Sequence, residues 1–136
     1  MFFSKSIKRI QYNPDTIFQM IYQQLKGKLS KNCNIRLGDR VYASVTKEEA
    51  FKFVRNINTD YIKETNDCDD FSFMAKCECI KEQRKNKFNG YPGLFGMAWT
   101  PSHAFNWFIN NGAIEFIDND DTQITQLEEE INLLLL

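Results

Sequence analysis

Apolar residues recur along this chain at two periods, and the change of period marks where helix should give way to strand. After Asn13-Pro14-Asp15, Ile17, Met20, Ile21 and Leu25 fall at helical spacing to about Leu29. Asn13 can cap this helix, Pro14 suits its first position, and Asp15 complements the helix dipole. Thr46-Lys-Glu-Glu49 has the capping-box form and leads into Ala50, Phe53, Val54 and Ile57 on one face. A third helix is predicted from near Asp67 to about Lys85. It carries Phe71, Met74 and Ala75 along one side and Phe73, Cys77 and Ile80 along another, so it should be buried. Asn89-Gly-Tyr-Pro-Gly-Leu-Phe-Gly96 then breaks helical structure. Val41–Val45 reads as a short strand or extended entry. Thr125-Gln-Leu-Glu128 resembles another capping box, predicting a C-terminal helix that ends in Leu133–Leu136.

Between the last two segments, residues 103–118 alternate as a β-hairpin does. Two registers compete. With Asn110-Asn111 as the turn, Phe105 faces Phe116, Trp107 faces Ile114 and His103 faces Asp118, so like meets like. With Asn111-Gly112, the commoner type I′ pair, His103 faces Asp120 and Phe105 faces Asp118. Side-chain character favours the first register. In either, an acid lies across the hairpin from the chain's one histidine.

Composition narrows the class. With 136 residues, 43 % of them hydrophobic, and twelve phenylalanines, the chain suits one domain, 1–136, with its motif-bearing core at about 46–121. The mean hydropathy of −0.47 fits a soluble protein. No apolar run is as long as a signal h-region or a membrane span, which predicts no membrane partner and a cytoplasmic protein, in the host cytoplasm if the chain is viral. Cys33, Cys68, Cys77 and Cys79 form neither a paired zinc motif nor a disulfide framework and read as reduced thiols. Residues 1–60 carry a net charge of +6 and residues 61–136 carry −7. The basic residues are scattered rather than forming a stripe with interleaved aromatics, which argues against nucleic acid.

Three residues then stand out in chain order. Cys68 falls at the first position of the third helix, where backbone N–H groups and the helix dipole favour a thiolate and an oxyanion. His103 opens the hairpin, and Asp118 closes it, suited to orient an imidazole toward a nucleophile. Asp67, Asp69 and Asp70 oppose that chemistry, because negative charge beside a cysteine raises its pKa.

Tyr61, Asn66-Asp-Cys68-Asp-Asp-Phe71, His103-Ala-Phe-Asn-Trp107 and Ile114-Glu-Phe-Ile-Asp118 resemble the papain-like and transglutaminase-like cysteine hydrolases. The likeness is nearest to small phage-encoded domains that resemble the C-terminal protease domain of a mushroom agglutinin, and it covers about Thr46 to Asp121. It implies an α+β fold in which a central helix carrying the cysteine packs on a small antiparallel sheet carrying the histidine and the acid. By motif position, the nucleophile, base and orienter become Cys68, His103 and Asp118. Asn66, Asp69 and Trp107 are then candidates for oxyanion support, since no glutamine precedes the cysteine between Tyr61 and Asp67. The implied activity is thiol-dependent acyl transfer or amide hydrolysis on a protein or peptide substrate, with no cofactor required. Glu64, Asp69, Asp70 and Asp118–Asp121 are similar to the acids of calcium-dependent relatives, but they lack EF-hand spacing, so calcium has no assigned ligands. Trp99, Tyr91 and Trp107 are cleft or core residues on this reading.

The competing reading is a non-enzymatic phage accessory or host-interaction module that retains the fold and holds a host protein partner. The acid-rich flank of Cys68 and the missing glutamine favour it; the Cys–His–Asp order opposes it.

Overall fold

The computed structural model describes residues 7–57, 67–120 and 122–136. Its three helices start where the caps predict. Helix α1 (Pro14–Gln24) begins at Asn13, whose side chain accepts from the Thr16 N–H at 2.9 Å. Helix α2 (Lys47–Arg55) has the reciprocal Thr46–Glu49 capping box. Helix α3 (Cys68–Arg84) begins at Asp67, whose N–H donates to Asp70 Oδ2 at 3.1 Å.

The rest is dominated by strands. A small antiparallel pair joins β1 (Gln11–Tyr12) to β3 (Tyr42–Ala43). The main sheet has six strands in the order β2-β8-β4-β5-β6-β7. They are β2 (Leu29–Arg36), β4 (Phe95–Trp99), β5 (Ala104–Asn110), β6 (Ala113–Asp118), β7 (Gln123–Thr125) and β8 (Ile131–Leu135). Strand β8 runs parallel to β2 and antiparallel to β4; the remaining neighbours are antiparallel.

This corrects the expected fold class. The α+β papain-like or transglutaminase-like arrangement called for a central helix on a small antiparallel sheet, whereas the chain builds a broad mixed sheet with few helices. The difference lies mainly in the C-terminal segment. Ile131, Leu134 and the rest of the leucine run form β8 rather than a helix, inserted between β2 and β4. A strand there satisfies backbone groups on both sides while burying Ile131 and Leu134 completely, which outweighs the capping-box pattern at Thr125.

The hairpin register is also corrected. Asn110 pairs with Ala113, Trp107 with Phe116 and Asn106 with Ile117, so Asn111-Gly112 forms the turn. Both turn residues have positive φ, 51° and 82°, as a type I′ turn requires. Turn geometry, not likeness of facing side chains, decides the register.

The sheet divides the core into two layers. Phe105, Trp107, Ile109 and Phe116 pack with Ile17 and Ile21 of α1, and Phe108 and Ile117 pack with Ala75, Cys79, Phe53 and Val54 of α2 and α3. Asn106 pins α3 to the second face: its buried Nδ2 donates to Ser72 O and to Gly96 O, both at 3.1 Å. Trp107, a candidate for oxyanion support, is wholly buried and donates its indole N–H to Met97 O and Leu135 O, so it is a core residue that lines no cleft.

Candidate functional site

The chemistry gathers at the edge where β5 begins and β6 ends. Thr100-Pro101-Ser102 turns the chain from β4 into β5, closed by the Thr100 N–H donating to His103 O at 2.9 Å. Glu129, on the segment before β8, ties the turn down. Its Oε1 accepts from Thr100 Oγ1 at 3.0 Å, from the Ser102 N–H at 3.3 Å and from the Ser102 hydroxyl in a short hydrogen bond. These bonds, Ser102's foremost, hold the Glu129 carboxyl below its ordinary pKa.

His103 Nε2 lies 3.3 Å from Asp118 Oδ1. The same Asp118 oxygen accepts from the Asp120 N–H at 3.0 Å, which folds the Asp118–Asp120 turn back toward the histidine. Atoms of His103, Asp118 and Asp120 come within 4.8 Å of one another, the one group of metal-ligating side chains so placed among the described residues. Beside them opens a cleft of about 350 Å³, bordered by Thr100, Ser102, His103, Asp118, Gln126 and Glu129. The sequence reading misses Thr100, Ser102 and Glu129, because nothing local joins residues 27 positions apart.

Cys68 lies at the start of α3, with its thiol against the backbone of Ala104, the residue that follows His103. The His103 ring packs edge-on against Phe105, a residue of the α1-side layer, whereas α3 lies on the opposite face. Cys68 Sγ approaches the backbone N–H of Ala104, and its side-chain hydrogen-bond partner among the described residues is Asp69 Oδ1 at 3.7 Å, not His103. Burial raises the thiol pKa and the Ala104 N–H lowers it. The nearby Asp69 and Asp67 charges raise it again, and the net shift is upward. Asp69 thus accepts from the thiol instead of supporting an oxyanion. Asn66, Tyr61, Glu64 and Asp121 lie outside the described residues. Of the other two aromatics, Trp99 meets Phe73 at 5.9 Å between ring centroids, and Tyr91 packs against the α2–α3 layer. Among the described residues no helix is long and apolar enough to cross a membrane.

Two solved structures share the fold. The "PSL1a-E64 complex" superposes with a TM-score of 0.81 at 20 % identity over 93 % of this chain and 50 % of that one. The Polyporus squamosus lectin, bound to the human-type influenza-binding epitope Neu5Aca2-6Galb1-4GlcNAc, superposes with a TM-score of 0.77 at 20 % identity over 93 % of this chain and 49 % of that one. The chain therefore spans about half the length of each. No curated protein matches it.

These findings overturn the hydrolase reading. The chain shares its fold with about half of each of these structures, one of them a lectin with its bound glycan epitope. The Cys68–His103–Asp118 acyl-transfer mechanism is withdrawn, and the protein or peptide substrate with it. The family model described as Agglutinin C-terminal matches residues 41–124, well over half of the sequence, and the chain belongs to that family.

Proposed function

We propose that this chain is a non-enzymatic carbohydrate-binding module that takes a saccharide in the cleft beside His103 and Asp118. The observation that carries the reading is the make-up of that cleft. Carboxylates, an imidazole and an amide surround one opening, and Glu129 fixes the hydroxyl-bearing turn that forms its wall. Sugar hydroxyls both donate and accept, and planar carboxylate and amide groups held in place satisfy them at little ordering cost. The sialylated epitope held by the Polyporus squamosus lectin supports a glycan as ligand class.

Electrostatics narrow the class further. Asp118, Glu128 and Glu129 border the cleft and Asp120 adjoins it, so an anionic sugar would meet repulsion. The ligand is accordingly a neutral hexose or N-acetylhexosamine unit. Calorimetric titration with N-acetyllactosamine should give a dissociation constant of about 1 mM or tighter, equivalent to about −4 kcal/mol. Glu129→Gln should weaken it several-fold, and the sialylated trisaccharide should bind no better than the neutral disaccharide. Absence of binding by either sugar, or equal binding by Asp118→Ala, contradicts the proposal.

A further inference from the structure

We propose that the cavity between β1, the start of α2 and the β5–β6 turn is a binding site for a phosphate monoester with an apolar body. The cavity has a volume of about 430 Å³, the size of a small-molecule site. It shares no bordering residue with the cleft beside His103, which lies at the other end of β5. Val45 and Ile109, both buried, give it an apolar lining, and exposed Ile10 extends that lining outward. The Ile10 wall is fixed by Ser44, whose Oγ accepts from the Ile10 N–H at 2.8 Å and whose own N–H donates to Ile10 O at 2.7 Å.

Tyr12 points to an occupant. It borders the cavity and is only 8 % exposed, yet its hydroxyl has no hydrogen-bond partner among the described residues. Burial raises the phenol pKa with no hydrogen bond or charge acting against it. A buried phenol of this kind ordinarily bonds to something, and here the cavity is where a partner can sit. The charged part of that partner is set by the other wall. Lys8 and Lys47 border the cavity without an ion pair among the described residues, and Lys47 Nζ lies 5.7 Å from the centre of the Phe51 ring. Lys47 and Glu48 open α2, where the helix leaves N–H groups unpaired; the Thr46 side chain takes only the Glu49 N–H. Two ammonium groups and two N–H groups suit the three oxygens of a phosphate monoester. Glu48 is the one acid on the border, because Glu49 is held by Arg9.

The test titrates the intact, nitrogen-15-labelled chain with phenyl phosphate. Amide resonances of Lys47, Glu48 and Asn111 should shift saturably, with a dissociation constant of about 1 mM or tighter, while His103 stays unmoved. Lys8→Gln and Lys47→Gln should each weaken binding several-fold. Tyr12→Phe should weaken it too without lowering the unfolding temperature, since its hydroxyl has no partner in the protein to lose. Lys8 is exposed, so Lys8→Gln decides the matter even if Tyr12→Phe proves unstable. Inorganic phosphate, lacking the apolar body, should bind at least about tenfold more weakly. No saturable shift, equal binding of inorganic phosphate, or an affinity unchanged in folded Tyr12→Phe or in Lys8→Gln overturns the proposal.

Discussion

The imidazole of His103 meets the ring of Phe105 edge-on, with centroids 4.5 Å apart, and this contact sets which side of the sheet the histidine serves. Successive strand residues point to opposite faces. Phe105 belongs to the layer packed against α1, while Asn106, its neighbour, reaches Ser72 in α3. The histidine ring thus meets Asp118 beside the cleft, while the Cys68 thiol lies against the backbone N–H of the next residue, Ala104.

Thiol reactivity should follow exposure rather than activation. Cys77 is exposed, Cys68 half-buried and Cys79 buried, with burial foremost, partly offset by Lys76, pushing the Cys79 thiol up to about 12. Alkylation near neutral pH, read by peptide mass spectrometry, should label Cys77 first, Cys68 more slowly and Cys79 last. His103→Ala should leave the Cys68 rate within about twofold, because the thiolate fraction governs reactivity and His103 does not set it. A Cys68 that outpaces the other thiols and depends on His103 contradicts the non-enzymatic account.

Asn106 joins α3 to the sheet through two carbonyls, and its side chain is wholly buried. Asn106→Ala removes both bonds and leaves a small void. It should cost about 2–3 kcal/mol in urea unfolding, with the slope unchanged.

Gly96 lies beneath the indole of Trp107, where an added Cβ would collide with the Leu135 carbonyl and the indole ring. The nearest of these atoms is backbone and cannot turn aside. Gly96→Ala should destabilise by about 3 kcal/mol and loosen β8 from β4, seen as faster amide exchange at Leu133–Leu135.

Acid should weaken the fold through Glu49. Burial alone would raise its pKa, but the paired hydrogen bonds from Arg9 at 2.6 and 2.8 Å, with the Thr46 N–H, outweigh that and lower it below 4.5. A carboxyl whose folded pKa is depressed contributes stability above its unfolded value, and that stability is lost as pH falls through the folded one. Unfolding free energy should therefore decline below about pH 4.5. Glu49→Gln should flatten that part of the profile.

Local signals were readable and non-local ones were not. Asn13, Thr46 and Asp67 mark three helix starts because caps act within a turn of the residues they serve. Alternation revealed the hairpin, yet its register depended on the φ angles of Asn111 and Gly112 rather than on matching side chains. The sequence reading missed β2 and β8, since a parallel pair about a hundred residues apart leaves no local trace and Leu133–Leu136 suits helix or strand equally. At the site, an acid near His103 was legible from the hairpin, but the register that set Asp118 directly opposite it was not the one formed: with Asn106 paired to Ile117, Asp118 reaches the histidine diagonally. The link to Glu129 was not legible, because that residue arrives from a distant segment. The Cys68 position was read correctly as a helix start, but a helix start does not say which face of the sheet the helix covers.

The most direct test of the binding account uses the chain's one histidine as reporter. Imidazole resonances of His103 can be followed by NMR during titration with N-acetyllactosamine. Saturable shifts at His103, accompanied by backbone shifts at Thr100, Ser102 and Glu129 and lost in Asp118→Ala, are the predicted result. An unmoved His103 at sugar concentrations well above 1 mM, about a thousandfold weaker than micromolar recognition, would contradict a saccharide in this cleft.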